Sequence, residues 1–524
     1  MNCIKVNFLF LLLSVYCFSA FAQPDKNRLI ELDVNNIKGE LNKSYNFCVG
    51  AGRANEGLRA DWQRQLRMAK KDCGFRYIRF HGLLTDDMGV YREDQAGNPM
   101  YNWQYIDELY DFLLSIDVKP FVELSFMPND LASGKSTVFW WKGNSTPPKD
   151  YKKWGDLIKN LVAHWKERYG EKEVSTWYFE VWNEPNLNYF FTGSMQDYFK
   201  LYAVTAGAIK SVSENFKVGG PATAGNAWIP DMINFCSTNK TPIDFISTHD
   251  YGVKQGFVDA TGNAGTILSQ DKGSIFNNMI NSRKQIKKSA LPDLELHYTE
   301  WSASYTPTDP IHDSYHEAAY ILDKISHAYN YVNSMSYWTF TDIFEENGPR
   351  FTPFHGGFGL LNYQDIKKPA YFAYQYLNKL GTTELINPDT ASFACKNKSG
   401  GVQLLFWNFT ITHPGDSVNN QVYYRRDLPS RNMVPAEVNI KHLSPGKYKM
   451  EVYKVGYRAN DAFTTYYDLK LPTQLTKQQV EIIKHSASGE AAAVYDINVG
   501  AGGEVKKTFP MRENDVYFID LKKI

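Results

Sequence analysis

The sequence predicts an α/β fold, a closed (β/α)8 TIM barrel, with an accessory antiparallel β-sandwich domain. The first observation is length, because 524 residues exceed one ordinary domain. The second is that residues 45–380 alternate short runs rich in Val, Ile, Phe and Tyr with longer helical patterns. The third is the loss of helical periodicity beyond about residue 385, where short strand-like runs are separated by Gly, Pro, Asn and Asp.

Eight strand-like runs divide the predicted barrel. Their first residues are Tyr45, Arg76, Val118, Thr176, Lys217, Ile243, Leu294 and Ser334. Eight βα units in this length favour a closed barrel with parallel strands. An open doubly wound sheet is the alternative, but no GxGxxG pattern follows the first strand.

The helices between these runs are predicted from apolar residues spaced three or four positions apart. The first helix carries such a stripe at Leu58, Trp62, Leu66, Ala69 and Cys73. Gly74 follows it, where a left-handed residue commonly ends a helix. Similar stripes predict helices over residues 106–116 and 154–165, and a last helix is predicted from Pro369 to Leu380, with the proline in its first turn.

The segments on either side of the barrel complete the predicted organisation. Residues 1–22 carry Lys5, an apolar core and small residues before a predicted cleavage site, which is typical of an export signal. We therefore expect an exported protein, periplasmic or extracellular. Residues 23–44 contain a strand-like run that we predict joins the β-sandwich, and the sandwich itself is predicted over residues 381–524.

Charge and cysteine usage exclude several classes of function. Lys and Arg total 57, as do Asp and Glu. The chain therefore has no surplus of basic residues, which argues against nucleic acid as its main partner. No segment after the predicted signal is apolar for about 18 residues, so we expect no membrane span. Cys48, Cys73, Cys236 and Cys395 lack metal-site spacing, and we expect reduced core cysteines, with disulfide pairing after export as the alternative. No cofactor or metal is expected, and the sequence does not indicate the oligomeric state.

TIM barrels carry their active sites at the carboxyl ends of their strands, so we expect the functional residues of this chain there. The polar and aromatic residues at these ends are His81, Asn183, Glu184, His249, Tyr251, Glu300, Trp338 and Asp342. Only the fourth and seventh strands lead into a glutamate. Since these strands are three apart in a ring of eight, Glu184 and Glu300 are expected to face each other.

Two facing glutamates fit glycoside hydrolysis. One carboxylic acid protonates the departing oxygen, and the other carboxylate attacks the anomeric carbon or activates water there. Structural alternatives remain for these residues: Glu184 precedes a proline and could cap a helix, and Glu300 could pair with an arginine. His81 and His249 could be hydrogen-bonded core residues. A metal site at His249 and Asp250 has no second ligand cluster in the sequence.

Five segments together resemble glycoside hydrolase family 39. They are WNEPN at 182–186, TEW at 299–301, DFISTHDY at 244–251, HGLLTDD at 81–87, and SYWTFTDIFEENG at 336–348 followed by FHGGFGLL at 354–361. The resemblance covers the predicted barrel, and the family is best known for β-xylosidases and α-L-iduronidases. It implies a TIM barrel whose catalytic glutamates lie on the fourth and seventh strands.

The resemblance also implies roles for individual residues. Glu184 is the implied general acid/base and Glu300 the implied nucleophile. Asn183 is implied to donate to the sugar 2-hydroxyl, and Tyr251 to hydrogen-bond Glu300. The complete set implied to bind substrate is His81, Asn183, His249, Tyr251, Trp338, Glu345 and Glu346.

Substrate choice is predicted from charge. A uronic acid calls for Lys or Arg beside its carboxylate, whereas the loop after the eighth strand offers Glu345 and Glu346, with Arg350 close behind. We therefore predict release of terminal β-linked xylose from xylo-oligosaccharides. The alternatives are an α-L-iduronide, β-glucoside, β-galactoside or arabinoside as substrate, or a non-catalytic carbohydrate-binding protein. Trp140 and Trp141 could either stack on a sugar in an outer subsite or pack internally.

Overall fold

A computed structural model describes residues 27–258, 264–415 and 418–524 of the chain. The predicted export signal, residues 1–22, lies outside the described residues. None of the described helices is both long enough and apolar enough to cross a membrane. Cys48, Cys73, Cys236 and Cys395 are all buried and carry free thiols, as expected for core cysteines.

Eight parallel strands form a closed barrel, which confirms the predicted fold. The strands are β1 (Cys48–Arg53), β2 (Tyr77–His81), β3 (Lys119–Leu124), β4 (Tyr178–Val181), β5 (Lys217–Ala224), β6 (Phe245–Tyr251), β7 (Glu295–Ser302) and β8 (Ser334–Tyr337). Each strand overlaps one predicted run. Neighbours in the chain are neighbours in the ring, and β8 closes the barrel by pairing with β1 at Tyr337 and Val49.

One helix follows each barrel strand and packs its apolar stripe toward the barrel. The helices are α1 (Ala60–Cys73), α2 (Gln104–Ser115), α3 (Tyr151–Tyr169), α4 (Met195–Val212), α5 (Ile229–Asn239), α6 (Phe276–Lys287), α7 (His316–Ala328) and α8 (Pro369–Lys379). A short helix, Glu171–Val174, lies between α3 and β4. Gly74 ends α1 in the left-handed conformation, as predicted, and its N–H donates to the Lys70 carbonyl at 3.0 Å.

The end of α1 provides a stability prediction. Gly74 has φ +74°, and a Cβ added there would lie 2.2 Å from Oδ1 of Asn378. We expect Gly74→Ala to lower the free energy of unfolding by about 1–2 kcal/mol from backbone strain, and by more if Asn378 cannot move. Gly207, within α4, has no neighbouring atom within 4 Å of the position that a Cβ would occupy, so Gly207→Ala is expected to be neutral or stabilising. Urea unfolding of both variants tests this, and equal stabilities would contradict it.

The strands outside the barrel form two main sheets that share one buried apolar cluster. The seven-stranded sheet contains, in order, Ile37–Glu40, Thr383–Leu385, Ser392–Lys396, Val402–Trp407, Val516–Lys523, Gly446–Val455 and Ala493–Val499. The three-stranded sheet contains Arg28–Asp33, Asn432–Lys441 and Val505–Arg512. All pairings in these two sheets are antiparallel except that of Arg28–Asp33 with Asn432–Lys441, which is parallel.

Several smaller elements accompany the barrel and the two main sheets. Three two-stranded hairpins are formed by Tyr91–Glu93 with Pro99–Tyr101, Thr137–Val138 with Gly143–Asn144, and Val253–Val258 with Ala264–Leu268. Two further helices, Ala462–Asp468 and Lys477–Ser486, follow the strand Gly446–Val455.

At the amino-terminal end of the barrel, the rings of Phe121 and Tyr178 stack with centroids 5.0 Å apart, against Phe245. This aromatic cluster fills that end, and the residues predicted for the site lie at the other.

Candidate active site

A cavity of about 460 Å³ opens at the carboxyl ends of the barrel strands. Seven of the nine residues predicted for the site line it: His81, Asn183, Glu184, Tyr251, Glu300, Trp338 and Glu346. The other two, His249 and Glu345, lie outside the lining. The volume is within the range of about 300–1,000 Å³ that small-molecule sites occupy in proteins.

Glu184 reaches the cavity through an unusual turn after β4. Trp182 and Glu184 have φ values of +71° and +43°, a left-handed region that side-chain-bearing residues seldom adopt. The turn is held to β5, because the N–H of Glu184 donates to the Ala222 carbonyl at 2.8 Å. Asn186 adds two hydrogen bonds to the backbone of Ala224, at 2.9 and 3.1 Å. Strained backbone that its surroundings enforce is typical of functional sites.

Glu300 lies on β7, where it is the register partner of His249 on β6. One of its oxygens accepts a hydrogen bond from the Tyr251 hydroxyl at 2.7 Å. The other accepts from the guanidinium of Arg79. Both donors stabilise a negatively charged carboxylate.

The two glutamates meet across a short gap. One carboxylate oxygen of Glu184, one of Glu300 and a ring nitrogen of His249 all lie within 4.8 Å of one another. Burial raises the pKa of Glu184 well above its ordinary value, and the negative charge of Glu300 raises it further. The pair therefore combines a protonated acid with a carboxylate. These three groups could also approach a cation, but the Arg79 guanidinium already neutralises Glu300.

Arg79 organises the floor of the site from a fully buried position on β2. Its Nε donates to Glu180 at 2.8 Å, and its Nη2 lies 2.7 Å from Glu123. The same Nη2 donates to Oδ1 of Asn183 at 2.9 Å. Since this bond occupies the amide oxygen, the NH2 group of Asn183 is oriented as the donor toward the cavity.

Three charged residues of the site, Arg79, Glu123 and Glu180, were not predicted from the sequence. Each is a charged residue inside a barrel strand, and each is fully or almost fully buried. Charged side chains are seldom buried unless they are paired. Arg79 and His81 are also two positions apart on β2, which places both on the interior face. A charged residue inside a predicted barrel strand was therefore the feature of the sequence that could have identified these three residues.

His81 lines the cavity as a cation between two acids. Its Nδ1 lies 2.6 Å from Glu123 and its Nε2 lies 3.4 Å from Glu346. Burial alone would lower the pKa of His81, but the charge of Glu123 and the hydrogen bond to it raise the pKa to about 10. The ring also packs against Trp338, with centroids 4.8 Å apart.

His249 does not take the predicted position in contact with sugar. The side chain is fully buried, and both ring nitrogens have partners: Nδ1 lies 2.8 Å from Glu184, and Nε2 lies 3.1 Å from the Thr299 hydroxyl. Burial, followed by the positive charges of Arg79 and His81, lowers the pKa of His249 well below its ordinary value. The structure thus makes His249 a neutral partner of Glu184, and the predicted substrate contact is corrected.

Glu345 also departs from its predicted role. Its carboxylate accepts from Arg53 at 2.8 Å and from Arg59 at 3.0 Å, and it lies outside the cavity lining. The next residue, Glu346, faces the cavity. Because Glu345 is bound by two arginines, the predicted substrate contact at Glu345 is corrected, and only Glu346 of this pair is placed to contact a ligand.

The two tryptophans after β3 have different environments. Trp141 packs against Phe126 and Phe139, with ring centroids 5.9 and 5.1 Å away. Trp140 is 57% exposed, and its backbone N–H donates to the Glu346 carbonyl at 2.7 Å. Internal packing therefore describes Trp141, while Trp140 remains an exposed ring beside the loop that carries Glu346.

Residues 28–492 match the family described as "Glycosyl hydrolases family 39". The chain belongs to glycoside hydrolase family 39. This family of retaining glycosidases was the one indicated by the sequence, and the chain is a glycoside hydrolase.

Several relatives within family 39 are similar over most of their length. A β-xylosidase from Geobacillus stearothermophilus is 43% identical over 395 residues, covering 74% of this chain and 78% of the relative. A β-xylosidase from Caldicellulosiruptor saccharolyticus is 47% identical over 360 residues, covering 68% and 73%. The crystal structure of a monomeric β-xylosidase from Caulobacter crescentus CB15 superposes with a TM-score of 0.91 at 40% identity, covering 95% of this chain and 100% of that one.

Proposed function

We propose that this family 39 hydrolase is an exo-acting β-xylosidase that releases terminal β-linked xylose from xylo-oligosaccharides, with Glu184 as acid/base and Glu300 as nucleophile. The observation that carries the double displacement is that one carboxylate oxygen of Glu184 lies within 4.8 Å of one of Glu300. Retaining enzymes hold their carboxyl groups about 5–5.5 Å apart, whereas inverting enzymes leave about 6.5–9.5 Å for a water molecule. The raised pKa of Glu184 and the two donors on Glu300 support the assignment of roles.

In the first step Glu300 attacks the anomeric carbon. The bond from that carbon to the leaving oxygen breaks, a bond to the Glu300 carboxylate forms, and the proton of Glu184 passes to the leaving oxygen. The raised pKa of Glu184 favours retention of that proton until it is transferred. The hydrogen bond from Tyr251 holds the attacking carboxylate in place.

In the second step water completes the exchange. Its oxygen attacks the anomeric carbon from the face that the leaving group vacated, its proton passes to Glu184, and the bond to Glu300 breaks. Because Glu300 carries no negative charge while it is esterified, the like-charge repulsion that favours protonated Glu184 is absent until the ester is hydrolysed. Both catalytic groups then return to their starting protonation states.

The cavity lining suits a neutral sugar. Asn183 presents its NH2 group to a ring hydroxyl, Trp338 supplies an apolar wall, and Glu346 accepts hydrogen bonds from hydroxyls. Within the described residues, the lining includes neither Lys nor Arg, and Arg350 is not part of it. The His81 cation in the lining is already paired with Glu123 and Glu346. A uronic carboxylate would therefore meet the charge of Glu346 without an unpaired cation to offset it, which disfavours an iduronide. The β-xylosidases at 43% and 47% identity support the same choice.

A panel of aryl glycosides tests the substrate. We expect kcat/KM to be highest for the β-xyloside and at least about tenfold lower for the α-L-iduronide, β-glucoside, β-galactoside and arabinoside. A misfitting C5 substituent, or in the arabinoside a misplaced hydroxyl, costs roughly 1–3 kcal/mol. A different preferred sugar would replace the proposed substrate. Binding of xylo-oligosaccharides without turnover of any member would indicate a carbohydrate-binding protein.

The two neighbouring acids after β8 allow a matched comparison. Glu346→Gln is expected to lower kcat/KM for a β-xyloside by about 10- to 100-fold, because charged hydrogen bonds are worth roughly 1.5–3 kcal/mol. Glu345→Gln weakens the pairs with Arg53 and Arg59 and is expected to lower the unfolding temperature more than kcat/KM. Steady-state kinetics and thermal unfolding of both variants separate the two effects. A larger kinetic loss in Glu345→Gln would contradict the assignment.

We also propose that the protein is exported. The support is the arrangement within residues 1–22, namely a lysine, an apolar core and small residues before the predicted cut. Mass spectrometry of the protein purified from its native host is expected to find Gln23 at the amino terminus. An intact Met1 on the mature protein would count against export by this route.

A further inference from the structure

A buried row of hydrogen bonds runs from the candidate acid away from the cavity. Glu184 lies 2.8 Å from Nδ1 of His249, Nε2 of His249 lies 3.1 Å from the Thr299 hydroxyl, and that hydroxyl lies 2.7 Å from Glu180. His249, Thr299 and Glu180 have no solvent exposure. Solvent therefore cannot substitute for any of these partners.

The direction of the row follows from counting protons. Burial and the charge of Glu123 raise the pKa of Glu180, but Nε of Arg79 donates to its carboxylate at 2.8 Å, and we take this direct ion pair to keep Glu180 ionised. The single hydroxyl proton of Thr299 is therefore donated to Glu180. The Thr299 oxygen can then only accept from His249, which places the ring proton on Nε2.

The same proton count shows which group donates in the contact between His249 and Glu184. A neutral imidazole carries one N–H, so with the proton on Nε2 the Nδ1 atom offers only a lone pair. A carboxylate 2.8 Å from that lone pair would face two acceptors with no proton between them. The contact is satisfied when Glu184 carries the proton and donates it to Nδ1.

We propose that Thr299 and Glu180 are positioning residues that hold His249 in its Nε2–H tautomer and thereby favour the protonated form of Glu184. The inference rests on the proposed role of Glu184 as acid/base. It adds a third cause for the protonation of Glu184, beside its burial and the charge of Glu300. Like burial, this cause persists when Glu300 is esterified, and it favours the return of a proton from water to Glu184 in the second step.

Other charged groups around Glu184 act in both directions. They are Glu300 and Glu346, which favour its protonated form, and Arg79 and His81, which favour the carboxylate. Tyr251 and Glu123 face the same cluster through Glu300 and His81. A substitution at Thr299 leaves all of these groups in place. A change in the ionisation of Glu184 in such a variant therefore reports on the hydrogen bonds that connect Glu184 through His249 and Thr299 to Glu180.

The pH dependence of kcat/KM tests the proposal. Its alkaline limb reports loss of the Glu184 proton in the free enzyme. Thr299→Val removes the acceptor for Nε2–H, so His249 can place its proton on Nδ1 and donate to a Glu184 carboxylate. We expect the alkaline limb of Thr299→Val to move to lower pH by about one unit, a tenfold change in the ionisation equilibrium. Thr299→Ser retains the hydroxyl and is expected to keep the limb at its wild-type position.

A second measurement does not depend on any variant at Thr299. NMR of the wild-type protein with ¹⁵N-labelled histidine is expected to show His249 protonated at Nε2 and unprotonated at Nδ1, with His249→Asn identifying the signals. A proton on Nδ1, an unmoved limb in Thr299→Val, or an equal shift in Thr299→Ser would overturn the proposal. The role of Glu184 itself is tested separately by azide rescue of Glu184→Ala, so the two failures are distinguishable.

Discussion

Glu300→Ala is expected to lower kcat/KM for β-xylosides by about 10⁵-fold, because loss of the nucleophile removes the covalent route altogether. The loss should be similar for substrates with good and poor leaving groups, since neither can form the glycosyl ester. Steady-state kinetics with an activated aryl β-xyloside and with xylobiose measure it.

Glu295 provides the matched control on the same strand. It is the first residue of β7, at the opposite end of the barrel from the cavity, and pairs with Lys217 at 2.9 Å. Glu295→Ala is expected to change kcat/KM by less than about threefold, because the residue contacts no part of the site. A Glu300→Ala enzyme that retained more than about one per cent of wild-type activity, or a comparable loss in Glu295→Ala, would contradict the assigned nucleophile.

Glu184→Ala is expected to show a loss that depends on the leaving group. General acid catalysis contributes about 10²- to 10⁴-fold, so xylobiose should suffer the full loss and a dinitrophenyl xyloside much less. Azide does not need general base assistance and can replace water in the second step. We expect azide to accelerate turnover of the activated substrate by Glu184→Ala and to give the β-xylosyl azide, identified by NMR.

The configuration of the azide product separates the two glutamates. In Glu300→Ala, azide can attack the substrate only once, which gives the α-azide. A β-azide from Glu300→Ala would mean that the two roles are reversed. Glu184→Gln is also expected to lack the alkaline limb of kcat/KM, because the group whose raised pKa sets that limb is absent.

The fold followed from local patterns that the barrel imposes directly on the sequence. Each barrel strand is a short apolar run because parallel strands are buried on both faces. The end of α1 at Gly74 and the start of α8 at Pro369 follow from backbone preferences of single residues. The parallel pairing of Arg28–Asp33 with Asn432–Lys441 could not be predicted, because it joins segments about 400 residues apart in the chain.

The site was predictable to the extent that a strand end fixes a residue's position. Glu184 and Glu300 were located because barrel strands present their carboxyl ends to one face. The environments of individual side chains depend on distant partners, and these were not predictable. His249 is held by Thr299 behind the cavity, and Glu345 is bound by Arg53 and Arg59 while Glu346 beside it faces the ligand space.

The most direct test of the central claim follows the first sugar released. Proton NMR during the initial turnover of an aryl β-xyloside distinguishes the anomers before they interconvert in water. Double displacement by Glu300 and Glu184 predicts that β-xylose forms first and the α-anomer accumulates only by later mutarotation. Prompt appearance of α-xylose would show a single displacement and would contradict the roles assigned to both glutamates.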